Sequence, residues 1–157
     1  MESSKWTNIF QNKAKQLKHS WNLEFDEHIV PNRPHFGWRQ CVNNTCARFR
    51  CSSCGRGWSS NRVMVLFHMR LMNGNGIVKM RPLYQKCKNC SDAPMEKPNI
   101  ESDSIAVLMD NLMEKIRENC YHENTGGKKR HFRSYDGNNP HQPDHCQGCK
   151  LGLCRKK

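Results

Sequence analysis

The sequence has no apolar run long enough to cross a membrane. Its longest uninterrupted apolar runs are residues 63–67 and 105–109, far below the ~18 residues that a membrane-spanning helix needs. Residues 1–6 contain no apolar stretch of the kind that forms a signal peptide. These absences predict a cytoplasmic protein whose cysteines stay reduced and are available as metal ligands rather than as disulfide partners.

Hydrophobic and acidic residues are both scarce. Hydrophobic residues make up 36% of the 157 positions, below the roughly 45–50% of typical globular domains, so the core is expected to need cross-links. The chain has only 14 Asp and Glu residues but 26 Lys and Arg residues, which gives a formal net charge of +12. Such a charge favours acidic partners: nucleic acid, an anionic membrane surface or an acidic protein face.

Cysteine, by contrast, is abundant. Six of the ten cysteines form three CxxC pairs: Cys51/Cys54, Cys87/Cys90 and Cys146/Cys149. Two intervening residues allow one tight turn to direct both sulfurs at the same point, about 2.3 Å from a metal. Gly55 follows the first pair and permits the positive-φ bend that such a knuckle uses. The spacing predicts a first zinc site with the ligands Cys51, Cys54, Cys87 and Cys90.

The third pair lies in a second group of potential ligands. It predicts a second zinc site with the ligands His141, Cys146, Cys149 and Cys154. The sequence leaves open whether the CxxC pairs group in this way or interleave, for example Cys51/Cys54 with Cys146/Cys149. Redox-active CxxC pairs and a disulfide framework are the alternatives, disfavoured by the absence of a thioredoxin-like βαβ pattern and of a secretion signal.

The remaining cysteines and one central histidine are interpreted without a metal role. Cys41 and Cys46 could pair with each other or bind a metal, but we expect neither. Cys120 ends an amphipathic helix and is expected to belong to the core. His68 lies within a strand beside Phe67, where a histidine with its hydrogen bonds satisfied by the core is the default expectation, and metal binding is the alternative.

The pattern of apolar residues predicts an α+β fold: a small zinc-stabilised β-hairpin, zinc-ribbon-like, with two flanking amphipathic helices. A strand over 62–71, a turn over 73–76 and a returning strand over 77–83 form the hairpin. Trp58 is expected to shield the first knuckle. Further predictions are a helix over 4–18, a strand over 21–25, short strands over 36–41 and 46–51, and a helix capped by Asp103.

These elements divide a single domain over residues 1–157 into five parts. The N-terminal helix occupies 1–20, the β-rich zinc core 21–90, a linker and helix 91–122, a mobile basic loop 123–140, and the second zinc site 141–157. Basic residues that could meet nucleic acid or another acidic partner lie on the strands and in the loop: Arg48, Arg50, Arg56, Arg62, Lys79, Arg81, Lys128, Lys129, Arg130 and Arg133.

Several segments resemble the receptor-transporting protein family, whose members carry a 3CxxC-type zinc finger domain. The resembling segments are residues 47–60 leading into 65–69, residues 78–81 running into 85–90, the helix end at 120–121, and the ending over 146–154. The opening, with Trp6 and Ile9-Phe10, is similar as well. The His-x4-Cys-x2-Cys-x4-Cys spacing matches the pattern of the related zygote arrest proteins and supports the second site.

The resemblance implies an intracellular, zinc-containing accessory protein that promotes delivery of G-protein-coupled receptors to the cell surface. It also implies, for members that continue into a C-terminal anchor, attachment to the cytosolic face of a membrane. The alternative function is that of an RNA-binding, interferon-induced antiviral zinc-finger protein. An enzyme with a small-molecule substrate is not expected, because both predicted zinc sites are closed by four ligands and no Gly-rich phosphate loop follows a strand.

Overall fold

A computed structural model describes residues 2–31, 36–123 and 145–151, without the side chains of Glu2, Ser3 and Cys149. It shows an α+β arrangement of helices and a mixed β-sheet. In chain order the elements are α1 (Glu2–Ala14), β1 (Ser20–Phe25), β2 (Arg39–Arg50), β3 (Gly57–Met72), β4 (Asn75–Pro82), β5 (Gln85–Lys86), β6 (Met95–Glu96), α2 (Ser102–Cys120) and α3 (Gln147–Lys150).

The main sheet has four strands in the order β1-β4-β3-β2. Strand β1 runs parallel to β4, and the other neighbours are antiparallel. Strands β5 and β6 form a separate two-stranded sheet. The central strand β3 is covered on both faces, which is why its second half reads as a nearly continuous apolar run.

The β3–β4 hairpin confirms the predicted turn. Asn73 and Gly74 form a two-residue loop with φ values of 53° and 78°. Positive φ at both positions is the requirement of a type I′ turn, which Asn-Gly satisfies best. The next two residues, Asn75 and Gly76, already belong to β4.

Helices α1 and α2 cover one face of the sheet and contribute nine of the 21 buried residues of the main core. The Nζ atom of Lys13 on α1 lies 3.0 Å from the carboxylate of Asp110 on α2. Helix α2 begins at Ser102 and its N-cap residue is Glu101, so the predicted cap at Asp103 is wrong. Asp103 instead lies in the first turn, where its negative charge complements the helix dipole.

The segment after β1 crosses the opposite face of the sheet. The guanidinium of Arg81 donates a hydrogen bond to the carbonyl of Ile29 at 2.9 Å. Farther along, Arg70 and Lys79 both lie against the ring of Trp38, at 4.7 and 5.0 Å from its centroid. This second layer explains why Leu66 is fully buried although it points away from the helices.

Strand β2 corrects the prediction of two short strands at 36–41 and 46–51. Residues 42–45, which the prediction left between the two strands, lie inside one continuous strand. Asn43 and Thr45 are buried, and Asn44 donates a hydrogen bond from Nδ2 to the carbonyl of Asn61 at 2.9 Å. Likewise β3 is longer than predicted, and α1 covers residues 2–14 rather than 4–18.

Candidate metal centre

Two tight turns carry the four cysteines of the predicted first site. Cys51 and Cys54 lie in the turn between β2 and β3, and Cys87 and Cys90 follow β5. The first turn is closed by two backbone hydrogen bonds, from the amide of Cys51 to the carbonyl of Arg56 and from the amide of Gly55 to the carbonyl of Cys51, at 2.8 and 2.9 Å. Gly55 has a φ of 77°, the left-handed conformation that its lack of a side chain permits.

The sulfur atoms of these four cysteines all lie within 4.8 Å of one another. Cys51 Sγ and Cys90 Sγ are 3.8 Å apart, and Cys54 Sγ and Cys87 Sγ are also 3.8 Å apart. A tetrahedron with metal–sulfur bonds of about 2.3 Å has edges of about 3.8 Å. The donor set and its spacing therefore fit a zinc ion bound by four thiolates.

The cluster faces the protein on one side and solvent on the other. Cys51 and Cys87 are buried, Cys90 is partly buried and Cys54 is exposed. Trp58 packs against the buried side, together with Cys51, Cys87 and Ala93, so its expected shielding role agrees with the packing. The Trp58 ring is stacked on Phe49 with centroids 5.2 Å apart.

The sulfur atoms of the cluster differ in their hydrogen bonds and neighbours, and the thiol pKa values of the cysteines differ accordingly. The Nε–H of Arg56 donates to Cys87 Sγ at 3.3 Å, and this bond lowers the pKa of the Cys87 thiol to about 6. The amide of Cys54 donates to Cys51 Sγ at 3.4 Å and lowers the pKa of Cys51. The pKa of Cys90 is raised to about 12, chiefly by the neighbouring Cys54 sulfur. Four adjacent thiolates repel one another, so a divalent cation is the natural way to stabilise the fully deprotonated set.

Two residues that support the cysteine turns, Arg56 and Glu96, could not be recognised in this role from the sequence. Arg56 was predicted to contact nucleic acid, whereas its guanidinium bonds Cys87 Sγ and also lies 4.8 Å from the ring centroid of Trp58. Glu96 on β6 accepts hydrogen bonds from the amide and the hydroxyl of Ser52, both at 2.8 Å. No spacing rule identifies either residue, because both contacts join different turns or strands.

The predicted second site is described only at Cys146. Its side chain is buried, and its backbone forms an antiparallel bridge with Gln85 on β5. The amide of Gln147 donates to the carbonyl of Tyr84 at 3.0 Å. His141, Cys154 and the side chain of Cys149 lie outside the described residues, so this site stays a prediction.

Cys41, Cys46, Cys120 and His68 lie outside the cluster. Cys41 Sγ accepts a hydrogen bond from Asn43 Nδ2 at 3.4 Å, and Cys46 Sγ lies 3.4 Å from the hydroxyl of Ser104. His68 is 2% exposed, and its Nε2 lies 3.3 Å from Gln40 Oε1. This agrees with the expectation of a core histidine. Cys120 ends α2 and packs against the core, also as expected.

Of the ten basic residues predicted to contact nucleic acid or an acidic partner, six lie in the described part of the chain, and the side chains of five of these contact groups of the chain itself. Besides Arg56 and Arg81, Arg50 donates to the carbonyl of Gly55 at 2.8 Å. Lys79 lies 3.5 Å from the Asp26 carboxylate, and Arg48 lies 3.9 Å from that of Glu101. Arg62 is partly buried on β3, and the four loop residues lie outside the described part: Lys128, Lys129, Arg130 and Arg133. These contacts give the RNA-binding hypothesis no support.

No helix in the described ranges is both long enough and apolar enough to span a membrane.

Comparison with known proteins first defines the class. Residues 44–152 match the family model of the 3CxxC zinc ribbon, a zinc-binding domain. Within that class, the chain is 36% identical to receptor-transporting protein 3 of Mus musculus over 161 residues, covering 98% of this chain and 34% of that protein. It is 32% identical to receptor-transporting protein 1 of Macaca fascicularis, covering 99% and 61%, and 32% identical to receptor-transporting protein 2 of Mus musculus, covering 100% and 73%.

The chain therefore belongs to the receptor-transporting protein family. It spans about a third of the length of the first of these relatives and 61% of the second. No solved structure matches it.

The Arg56–Cys87 contact predicts a pH-dependent defect in zinc binding. Arg56→Met removes the donor, so the pKa of Cys87 should rise from about 6 towards its ordinary value of 9.0. Between pH 6 and pH 9 the Cys87 thiol is ionised in the wild type and largely protonated in the variant, so competition between protons and zinc at Cys87 is specific to the variant, whereas competition at Cys90 is common to both proteins. We expect zinc affinity to fall about tenfold or more near neutral pH, and the loss to shrink as the pH rises towards about 9.

Competition with a chromogenic chelator across this pH range measures the effect. Arg50→Met is the matched control, because Arg50 belongs to the same turn and contacts a carbonyl instead of a sulfur. A loss of affinity that is equal at all pH values, or equal in the two variants, would contradict the assigned role of Arg56.

Proposed function

We propose that this protein is a zinc-dependent adapter that promotes delivery of membrane receptors to the cell surface, with G-protein-coupled receptors as the receptor class. The observation that carries the proposal is the extent of the similarity: proteins named receptor-transporting proteins align with 98–100% of this chain at 32–36% identity. The similarity thus includes the helices and the sheet as well as the cysteine turns.

We infer that Cys51, Cys54, Cys87 and Cys90 hold one structural zinc ion. The sulfur spacing, the buried side under Trp58 and the Arg56 hydrogen bond support this inference. A second zinc ion is proposed at His141, Cys146, Cys149 and Cys154, for which the buried position of Cys146 is the supporting observation. A zinc ion at the first site would tie the β2–β3 turn to the β5–β6 turn and hold the sheet in one shape.

We propose binding rather than catalysis as the role of this scaffold. Four cysteine ligands would leave no coordination position for a reacting water, whereas a catalytic zinc keeps one open. A formal net charge of +12 suits contact with acidic segments of a partner, and such contacts weaken as salt screens them. We place this activity in the cytoplasm, where reduced cysteines can bind zinc.

Surface labelling of receptors in cultured cells tests the proposal. Co-expression of this chain with epitope-tagged G-protein-coupled receptors should raise the surface fraction of at least one receptor at equal total expression. The chain should co-precipitate with that receptor, and the complex should survive RNase treatment. Cys87→Ser, which removes one cysteine of the four-cysteine cluster, should abolish the effect, and its matched control Cys120→Ser, which leaves the cluster intact, should retain it. An unchanged surface fraction across a receptor panel, with zinc-loaded and folded protein in the cells, would refute the proposal.

A further inference from the structure

Strand β2 presents an open edge of the main sheet. It is the last strand in the sheet order, and near its C-terminal end its outer side forms a bridge to Asn99. There the amide of Arg48 donates to the carbonyl of Asn99 at 3.0 Å, and the amide of Asn99 donates back at 2.8 Å. The amide of Leu83 donates to the carbonyl of Met64 at 3.0 Å, so the backbone groups of Met64 point away from β2. Met64 lies opposite Asn44, and N–H and C=O directions alternate along a strand, so those of Asn44 and Val42 point to the outer side of the sheet.

A groove runs beside this open edge, between β2 and α2. Its volume is about 520 Å³, and its walls include Val42 and Asn43 on β2 and Asn111, Glu114, Lys115 and Glu118 on α2. The volume falls in the ~300–1,000 Å³ range of ligand-binding clefts. An edge strand facing a helix across a cleft is the geometry in which an extended peptide adds to a sheet, with backbone hydrogen bonds on one side and side chains against the helix on the other.

The charges along α2 favour a cationic occupant. Lys115 Nζ lies 3.4 Å from the Glu118 carboxylate, so these two charges offset each other. Glu114 is partly exposed and forms no ion pair with any described residue. The charges of the three charged residues that line the groove, Glu114, Lys115 and Glu118, therefore sum to −1 on a chain whose net charge is +12. A nucleic-acid phosphate would be repelled here, and a second copy paired edge to edge would bring the two Glu114-bearing helices together.

We propose that an extended segment of a partner protein, carrying lysine or arginine, adds to β2 as a new edge strand in this groove. The segment's backbone pairs with the outward N–H and C=O groups of Val42 and Asn44, and one of its cationic side chains faces the carboxylate of Glu114. The inference goes beyond the proposed function, because it identifies the docking surface and its chemistry whether or not the partner is a receptor.

Binding of a peptide pool to the full, zinc-loaded chain tests the proposal. The probe is a pool of nine-residue peptides with lysine at alternating positions and free variation at the others; a second pool carries glutamate in place of lysine. Amide chemical shifts of β2 and fluorescence anisotropy report binding. Val42→Pro removes one outward N–H while proline stays tolerated on an edge strand, and Val42→Thr is its matched control. Glu114→Gln removes the charge, and Glu123→Gln, at an exposed position outside the groove, is its control.

The lysine pool should bind and shift the amides of Val42 and Asn44, and the glutamate pool should bind at least about tenfold more weakly. Val42→Pro should weaken binding about tenfold, since one backbone hydrogen bond is lost and its acceptor is left without a partner. Glu114→Gln should weaken it several-fold, more at low salt than at high salt. The proposal is overturned by no binding of the lysine pool at millimolar concentration or by shifts confined to other surfaces. Equal binding by Val42→Pro and Val42→Thr, or an edge-to-edge dimer that excludes the peptides, would overturn it as well.

Discussion

Replacing Cys87 with serine should release one zinc ion and unfold the β-rich part of the molecule. Cys87 is fully buried, and its sulfur lies 3.8 Å from that of Cys54. In a structural zinc site the metal-binding free energy is also folding free energy, about 10–16 kcal/mol in small zinc domains. A serine hydroxyl is a poor ligand, so most of that stabilisation should be lost together with the link between the two turns.

Metal analysis and thermal unfolding measured by circular dichroism test this expectation. Wild type should contain two zinc ions and Cys87→Ser one, with a strongly lowered Tm. Cys120→Ser is the matched control: the same substitution at a partly buried cysteine outside the cluster should keep both metal ions and change the free energy of unfolding by about 1 kcal/mol or less. An unchanged zinc content and melting temperature in Cys87→Ser would show that the first site is wrongly assigned.

The zinc turns and the hairpin could be predicted from sequence because their signals are local. A CxxC pair fixes the direction of two sulfurs within four residues, and Asn73-Gly74 specifies its turn through the φ values of those two residues alone. The intervening hairpin favoured the pairing of Cys51/Cys54 with Cys87/Cys90, but the sequence left open an interleaved pairing with Cys146/Cys149. The structure brings these four sulfurs together, whereas the second predicted site lies largely outside the described residues.

Features that depend on tertiary contacts were missed. The continuity of β2 through residues 42–45 was missed, because a sequence cannot show that the polar residues Asn43 and Thr45 are buried. Arg56 looked like a surface cation, although its partner, the Cys87 sulfur, lies 31 residues farther along the chain. The start of α2 was misplaced because Asp is a preferred N-cap residue, whereas the N-cap position is held two residues earlier by Glu101, without a side-chain cap hydrogen bond.

Substituting alanine for Gly76 should destabilise the protein by about 3 kcal/mol, the upper part of the range for overpacked cores. Gly76 lies opposite Trp21 in the β1–β4 register. A Cβ atom on Gly76 would lie 2.0 Å from Cδ2 of Trp21 and 2.3 Å from both Cε2 and Cε3. These atoms belong to the middle of the indole, which is 2% exposed and donates a hydrogen bond from Nε1 to the hydroxyl of Tyr121 at 3.1 Å. The ring therefore cannot move aside without breaking core contacts.

Urea unfolding at saturating zinc measures the effect, and two other glycines serve as controls. Gly57→Ala places its Cβ at an ordinary 3.7 Å from the nearest atom, a backbone oxygen of Phe49, so its free energy of unfolding should change by less than about 0.5 kcal/mol. Gly74→Ala should cost about 1–2 kcal/mol, because its φ of 78° is unfavourable for a residue with a Cβ. The double variant Gly76→Ala/Trp21→Leu should lose less stability than the sum of the two single variants, since the smaller side chain removes the clash. Strict additivity, or a Gly76→Ala variant as stable as Gly57→Ala, would show that the close approach of Trp21 to β4 does not exist in solution.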